Sequence, residues 1–78
     1  DFPTYFIFYK FKDENKKTLS IKIDELFGDK KVSENYSSSI LEGTNLIVVE
    51  SLEKLDEESV NKITELEFVN EVKFADKL

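Results

Sequence analysis

The sequence predicts an α+β domain of the ferredoxin-like plait type: elements in the order βαββαβ, a four-stranded antiparallel sheet, and two helices on one face. Three observations predict it. The stretches TYFIFYKFK and NLIVVESL are dense in aromatic and β-branched residues, as strands are. Two further stretches repeat apolar residues at helical spacing. The two most apolar strands are the first and the third, which this topology places in the middle of the sheet. Seventy-eight residues make a single domain, 1–78, with no linker or repeat. A core of this size is marginal, so a working partner is expected to supply part of the stability.

Each element has its own signal. Thr4 to Lys12 follows Pro3, which suits a strand start. Tyr5, Ile7, Tyr9 and Phe11 alternate with Phe6 and Phe8, so the strand is apolar on both faces and calls for cover on both. Which set meets the helices stays open at this level. Two helices can cover one face; the other must meet something else or stay partly exposed. Asp13 to Lys17 is expected to be a polar connection. Thr18 to Phe27 reads as a helix through Leu19, Ile23, Leu26 and Phe27, with Thr18 as N-cap and Gly28 as terminator. The alternation of Leu19, Ile21 and Ile23 also allows a strand there. Lys30 to Ser39 is polar enough for an exposed edge strand or hairpin arm. Gly43 supports a turn into the strand Asn45 to Leu52. Asp56 to Leu66 reads as a helix capped by Asp56. Glu57 and Glu58 sit in its first turn, where negative charge suits the dipole. Leu55 and Val60 form a hydrophobic staple, and Val60, Ile63 and Leu66 form the buried stripe. Val69 to Phe74 is the last strand, with Val72 and Phe74 on one face.

Composition narrows function. The chain has no histidine and no cysteine, so it cannot build a Ser-His-Asp triad, a Cys-His pair or a His or thiolate metal site by itself. The pairs Asp24-Glu25 and Glu57-Glu58 have no apolar pocket to separate their pKa values, and are expected to be solvated charges. An acylphosphatase-type plait needs an arginine, and all eleven cationic side chains are lysine. The chain is therefore expected not to be an enzyme, and to hold no cofactor and no metal. DENKK with Thr18 lacks the glycine turn and distal glutamate of a calcium loop. The net charge of −6 without arginine argues against nucleic acid. No apolar run approaches the length of a membrane span. Asn35-Tyr36-Ser37 matches the N-glycosylation sequon and is expected to be an ordinary turn or strand. The chain starts at Asp1 with no signal peptide in view, so it is expected to be an excised piece or a processed product.

Leu55, the acidic cap Asp56-Glu57-Glu58, the helix positions Val60 and Ile63, and the pair Val69-x-x-Val72 carry a family resemblance. This stretch resembles the end of subtilisin propeptides and of the stand-alone protease inhibitors related to them. The spacing agrees from Leu55 to Val72, and the element order agrees over the whole chain. The resemblance implies a prodomain that templates folding of its protease and then inhibits it tightly. Its partner is the catalytic domain of a subtilisin-like serine protease, and its location is the secretory pathway or the exterior. The open sheet face packs on two surface helices of the enzyme, which implies contacts from Phe6, Phe8 and Lys73. The segment Ala75, Asp76, Lys77 and Leu78 runs extended into the substrate cleft, as a cleaved product would.

The family pattern is departed from in three places. Many propeptides place acidic residues after V-x-x-V to cap the two enzyme helices; here Lys73, Phe74 and Ala75 stand there, leaving Glu71 or Asp76 for that task. The family's tail runs further, so either scissile residues follow Leu78 or Ala75 to Leu78 is itself a short tail. The small residues common in the third strand are replaced by Val49-Glu50-Ser51-Leu52. Some propeptides release in acid through a histidine. Without one, this chain has no group titrating by nature between about pH 5 and 8, and pH-triggered release would come from the protease or from shifted carboxylates. The bias toward Lys, Asn, Ile, Phe and Tyr resembles proteins of AT-rich genomes such as those of malaria parasites, which makes the prodomain of a malaria-parasite subtilisin the specific expectation. Two other functions fit the residues: a protein-interaction plait with no protease partner, and an RNA-recognition plait stacking bases on Tyr5, Phe6 and Phe8.

Overall fold

The computed structural model of the chain describes residues 1–76, and at 38–40 the backbone alone. Its elements are β1 (Thr4–Lys10), α1 (Asp13–Phe27), a 3₁₀ turn (Gly28–Lys30), β2 (Lys31–Leu41), β3 (Thr44–Ser51), α2 (Glu57–Thr64) and β4 (Val69–Ala75). The strands form one antiparallel sheet in the order β2-β3-β1-β4. The chain is a ferredoxin-like plait, and its two most apolar strands are the central ones.

The pleat of β1 sends Tyr5, Ile7 and Tyr9 to one face. Register carries that face across the sheet: Val49 stands opposite Tyr5, and Ile47 opposite Ile7. Leu19, Ile23 and Phe27 of α1 and Ile63 of α2 close on the same residues, and none of these side chains is more than 1% exposed. Both helices therefore cover one face. The Tyr5 hydroxyl is the polar atom this core must satisfy, and it accepts the Leu55 N–H at 2.8 Å. Its ring meets Phe27 edge-on at 5.5 Å and Phe74 at 4.9 Å. Burial pushes the Tyr5 phenol up, and the Leu55 hydrogen bond takes back part of the rise.

Two sequence expectations are corrected, and one alternative is closed. Asp13 to Lys17 is not a loop: α1 begins at Asp13, Thr18 lies inside it, and the Thr18 hydroxyl donates to Glu14 O at 2.9 Å instead of capping. The pentapeptide looks like a loop because it carries no apolar stripe. It still holds a first turn, since Asp13 and Glu14 suit the dipole and Lys16 N–H reaches Lys12 O at 3.0 Å. Phe11 does not continue the buried row of β1; the strand has ended and the ring is exposed. Ile21, which kept a strand alive over 19–23, lies on the outer side of the helix and is exposed.

The terminators act as their chemistry requires. Gly28 at φ 53° closes α1, its N–H bonding Asp24 O. Gly43 at φ 75° turns β2 into β3. Asp56 caps α2 by accepting Ser59 N–H at 2.8 Å. Leu55 is buried behind it and Val60 is packed on the core, as a staple demands.

The spacing of Val69 and Val72 is explained by a bulge. Residues three apart on a regular strand face opposite ways. Here Glu71 pairs with Phe8 and Val69 with Tyr9, so Asn70 is the extra residue. Val69 and Val72 thereby both pack against the core.

Candidate protein-docking face

The same alternation that buries Tyr5, Ile7 and Tyr9 sends Phe6 and Phe8 to the face that neither helix covers. Val48 stands opposite Phe6, and Leu46 opposite Phe8. The four side chains make a two-by-two apolar block on the central strands, each half-buried. Within a strand the two rings are about 7 Å apart along the chain, and the strands lie about 4.8 Å apart. The strands beneath the block are paired on both sides.

The edge strands supply the rim. On β4, Lys73 stands beside Phe6 and Glu71 beside Phe8. On β2, Asn35 stands beside Val48 and Ser37 beside Leu46. One rim is thus charged and the other small and neutral. Glu50, opposite Thr4, accepts the Ser33 hydroxyl at 2.7 Å.

The expected site residues fall partly together. Phe6, Phe8, Glu71 and Lys73 share the open face in register. Ala75, opposite Thr4, stands at the end of that face, and Asp76 follows it, exposed. Lys77 and Leu78 lie outside the described residues. Five residues of strand separate Glu71 from Asp76 by about 17 Å, too far for both to serve one helix N-terminus. Phe74 turns away: it pairs with Tyr5 on the covered side, beneath Lys54, whose Nζ lies 4.8 Å from the ring. Leu46 and Val48 were not singled out from the sequence. Their signal was the alternation within NLIVVESL, which also needs the register with β1 before it names a face.

The block's aromatic pair occupies the face on which an RNA-binding plait stacks bases. Lys73 and Glu71 adjoin the two rings with opposite charges, and the net charge of −6 disfavours a phosphate backbone.

A groove of about 480 Å³ lined by Lys16, Ser20, Glu34 and Tyr36 among others lies between α1 and β2. Its inner polar groups, Ser20, Glu34 and Tyr36, hydrogen-bond to one another. Glu34 accepts from the Tyr36 hydroxyl, from Ser20 at 3.4 Å and from Lys31 at 2.9 Å. Burial and the Glu34 carboxylate push the Tyr36 phenol up to about 12. Lys31 also reaches Asp24 at 2.5 Å, and these partners raise its pKa. The network ties the β2 edge to α1.

Among the described residues no group of acidic side chains is arranged to hold a metal ion. Among the described residues no helix is long and apolar enough to cross a membrane. No known family model, curated protein or solved structure matches the chain.

Proposed function

We propose that this chain is the prodomain, or a propeptide-like inhibitor, of a subtilisin-like serine protease, acting as folding template and then as tight inhibitor. The observation that carries the proposal is the open sheet face, where Phe6, Phe8, Leu46 and Val48 form an apolar block that neither helix covers. Burying such a block against a partner is favourable at about 25 cal/mol per Å² of apolar surface. The face docks on two surface helices of the catalytic domain. Glu71, on its rim, meets a helix N-terminus, where a carboxylate is stabilised. Ala75 ends β4 on the same face, so the segment after it leaves from the rim and lies extended in the substrate cleft. The chain contributes no histidine or cysteine to chemistry; its part is shape and occupancy. The secretory pathway is where it meets its protease, and a malaria-parasite subtilisin is the specific partner class.

Inhibition of a panel of subtilisin-like proteases, with and without Lys77-Leu78, tests the proposal. Tight inhibition that weakens on truncation is expected. Tight inhibition indifferent to truncation moves the binding energy to the sheet face. No inhibition of any subtilisin overturns the proposal and assigns the face to a different protein partner.

A further inference from the structure

Asn35-Tyr36-Ser37 has the Asn-x-Ser form that N-glycosyl transfer requires. The fold separates its three side chains. Tyr36 pairs with Ile47 on the covered face, and its hydroxyl donates to Glu34. Asn35 pairs with Val48 and Ser37 with Leu46, both on the open face and both exposed. β2 is the outermost strand, so no strand stands beyond Asn35 on that side. The two-residue period that anchors the tyrosine thus presents the amide and the hydroxyl outward together.

We propose that Asn35 is an N-glycan acceptor and that a glycan there limits access to the open face. The donor is a lipid-linked oligosaccharide pyrophosphate. Asn35 Nδ2 attacks the anomeric carbon of the first sugar. The new N–C bond forms as the C–O bond to the pyrophosphate breaks; the lipid pyrophosphate leaves with that electron pair, and the amide gives up one proton. The fold accepts the product because the Asn35 side chain is already in solvent. Access follows from register. Val48, a member of the apolar block, is the residue directly across the ladder from Asn35, and paired strands lie about 4.8 Å apart. A sugar chain rooted there overhangs the block. The acceptor site stands on its own observations; the access half rests on the docking proposal above.

The full chain, expressed behind a signal peptide in a eukaryotic secretory host, is compared with Asn35→Gln, Ser37→Ala and Ser37→Thr. A mass increment removable by peptide N-glycosidase is expected in the wild type and Ser37→Thr, and in neither other variant. Its absence from both the wild type and Ser37→Thr overturns the acceptor site. The glycosylated chain is then compared with Asn35→Gln from the same host as an inhibitor of subtilisin-type proteases. Inhibition about tenfold weaker for the glycosylated form is expected. Equal inhibition overturns the access half. Failure of both forms to inhibit overturns the access half together with the docking proposal, while the mass increment still decides the acceptor site.

Discussion

On the helix side of the sheet, Tyr5, Ile7, Tyr9, Ile47 and Val49 are at most 1% exposed. On the other side Phe6, Phe8, Leu46 and Val48, interleaved with them along the same strands, stay half-buried. The residue types barely differ, and neither do the strands. What differs is the layer above. A short chain can build two helices, and two helices cover one face of four strands. Apolar side chains on the second face therefore do little to hold the free domain together and stay partly exposed. Hydrophobicity along a strand reports that a face is to be covered; it does not report by whom.

The largest expected effect sets the two faces against each other directly. Ile47→Ala should destabilise the domain by roughly 2–5 kcal/mol, because it empties a closed core. Leu46→Ala, one residue away on the open face, should cost about 1 kcal/mol, since its side chain is only half-buried. Denaturant midpoints measure both, and equal costs would break the contrast.

Function should run the opposite way. Phe8→Ser combined with Leu46→Ser should weaken inhibition of a responsive subtilisin by about tenfold or more while far-UV circular dichroism is retained. Inhibition that survives the pair would show that the open face carries no docking energy.

The smallest effect concerns the cover itself. Hydrogen bonding from Ser59 holds the Asp56 carboxyl below its ordinary range, so the cap favours the folded state when ionised. Its contribution is complete above about pH 4 and fades as pH falls through the still lower folded-state value. Asp56→Ala should lower Tm slightly at neutral pH, and the gap should close in acid. A gap that widens on acidification would mean that something other than the ionised cap is lost.

The candidate site was half legible. Phe6 and Phe8 declared themselves by alternating with Tyr5, Ile7 and Tyr9, but both sets are apolar and alternation alone assigns neither to a side. NLIVVESL is apolar at consecutive positions, so the sequence does not mark Leu46 and Val48, and only pairing with Phe8 and Phe6 puts them on the open face. The start of α1 is hidden in the sequence because Asp13 to Lys17 shows no apolar stripe, although its charges suit a first helical turn.

The order of elements, the central place of the first and third strands, the Gly28 and Gly43 terminators and the Asp56 cap were all determined by the sequence alone. Each depends on local chemistry: side-chain period, backbone freedom at positive φ, or a short acceptor beside free N–H groups. Only the tertiary structure decided which side of β1 is the core, and that Val69 and Val72 share it through a bulge at Asn70. Those outcomes depend on where α1 and α2 land and on the register between strands distant in sequence. They are properties of pairs of segments, and no single segment carries them.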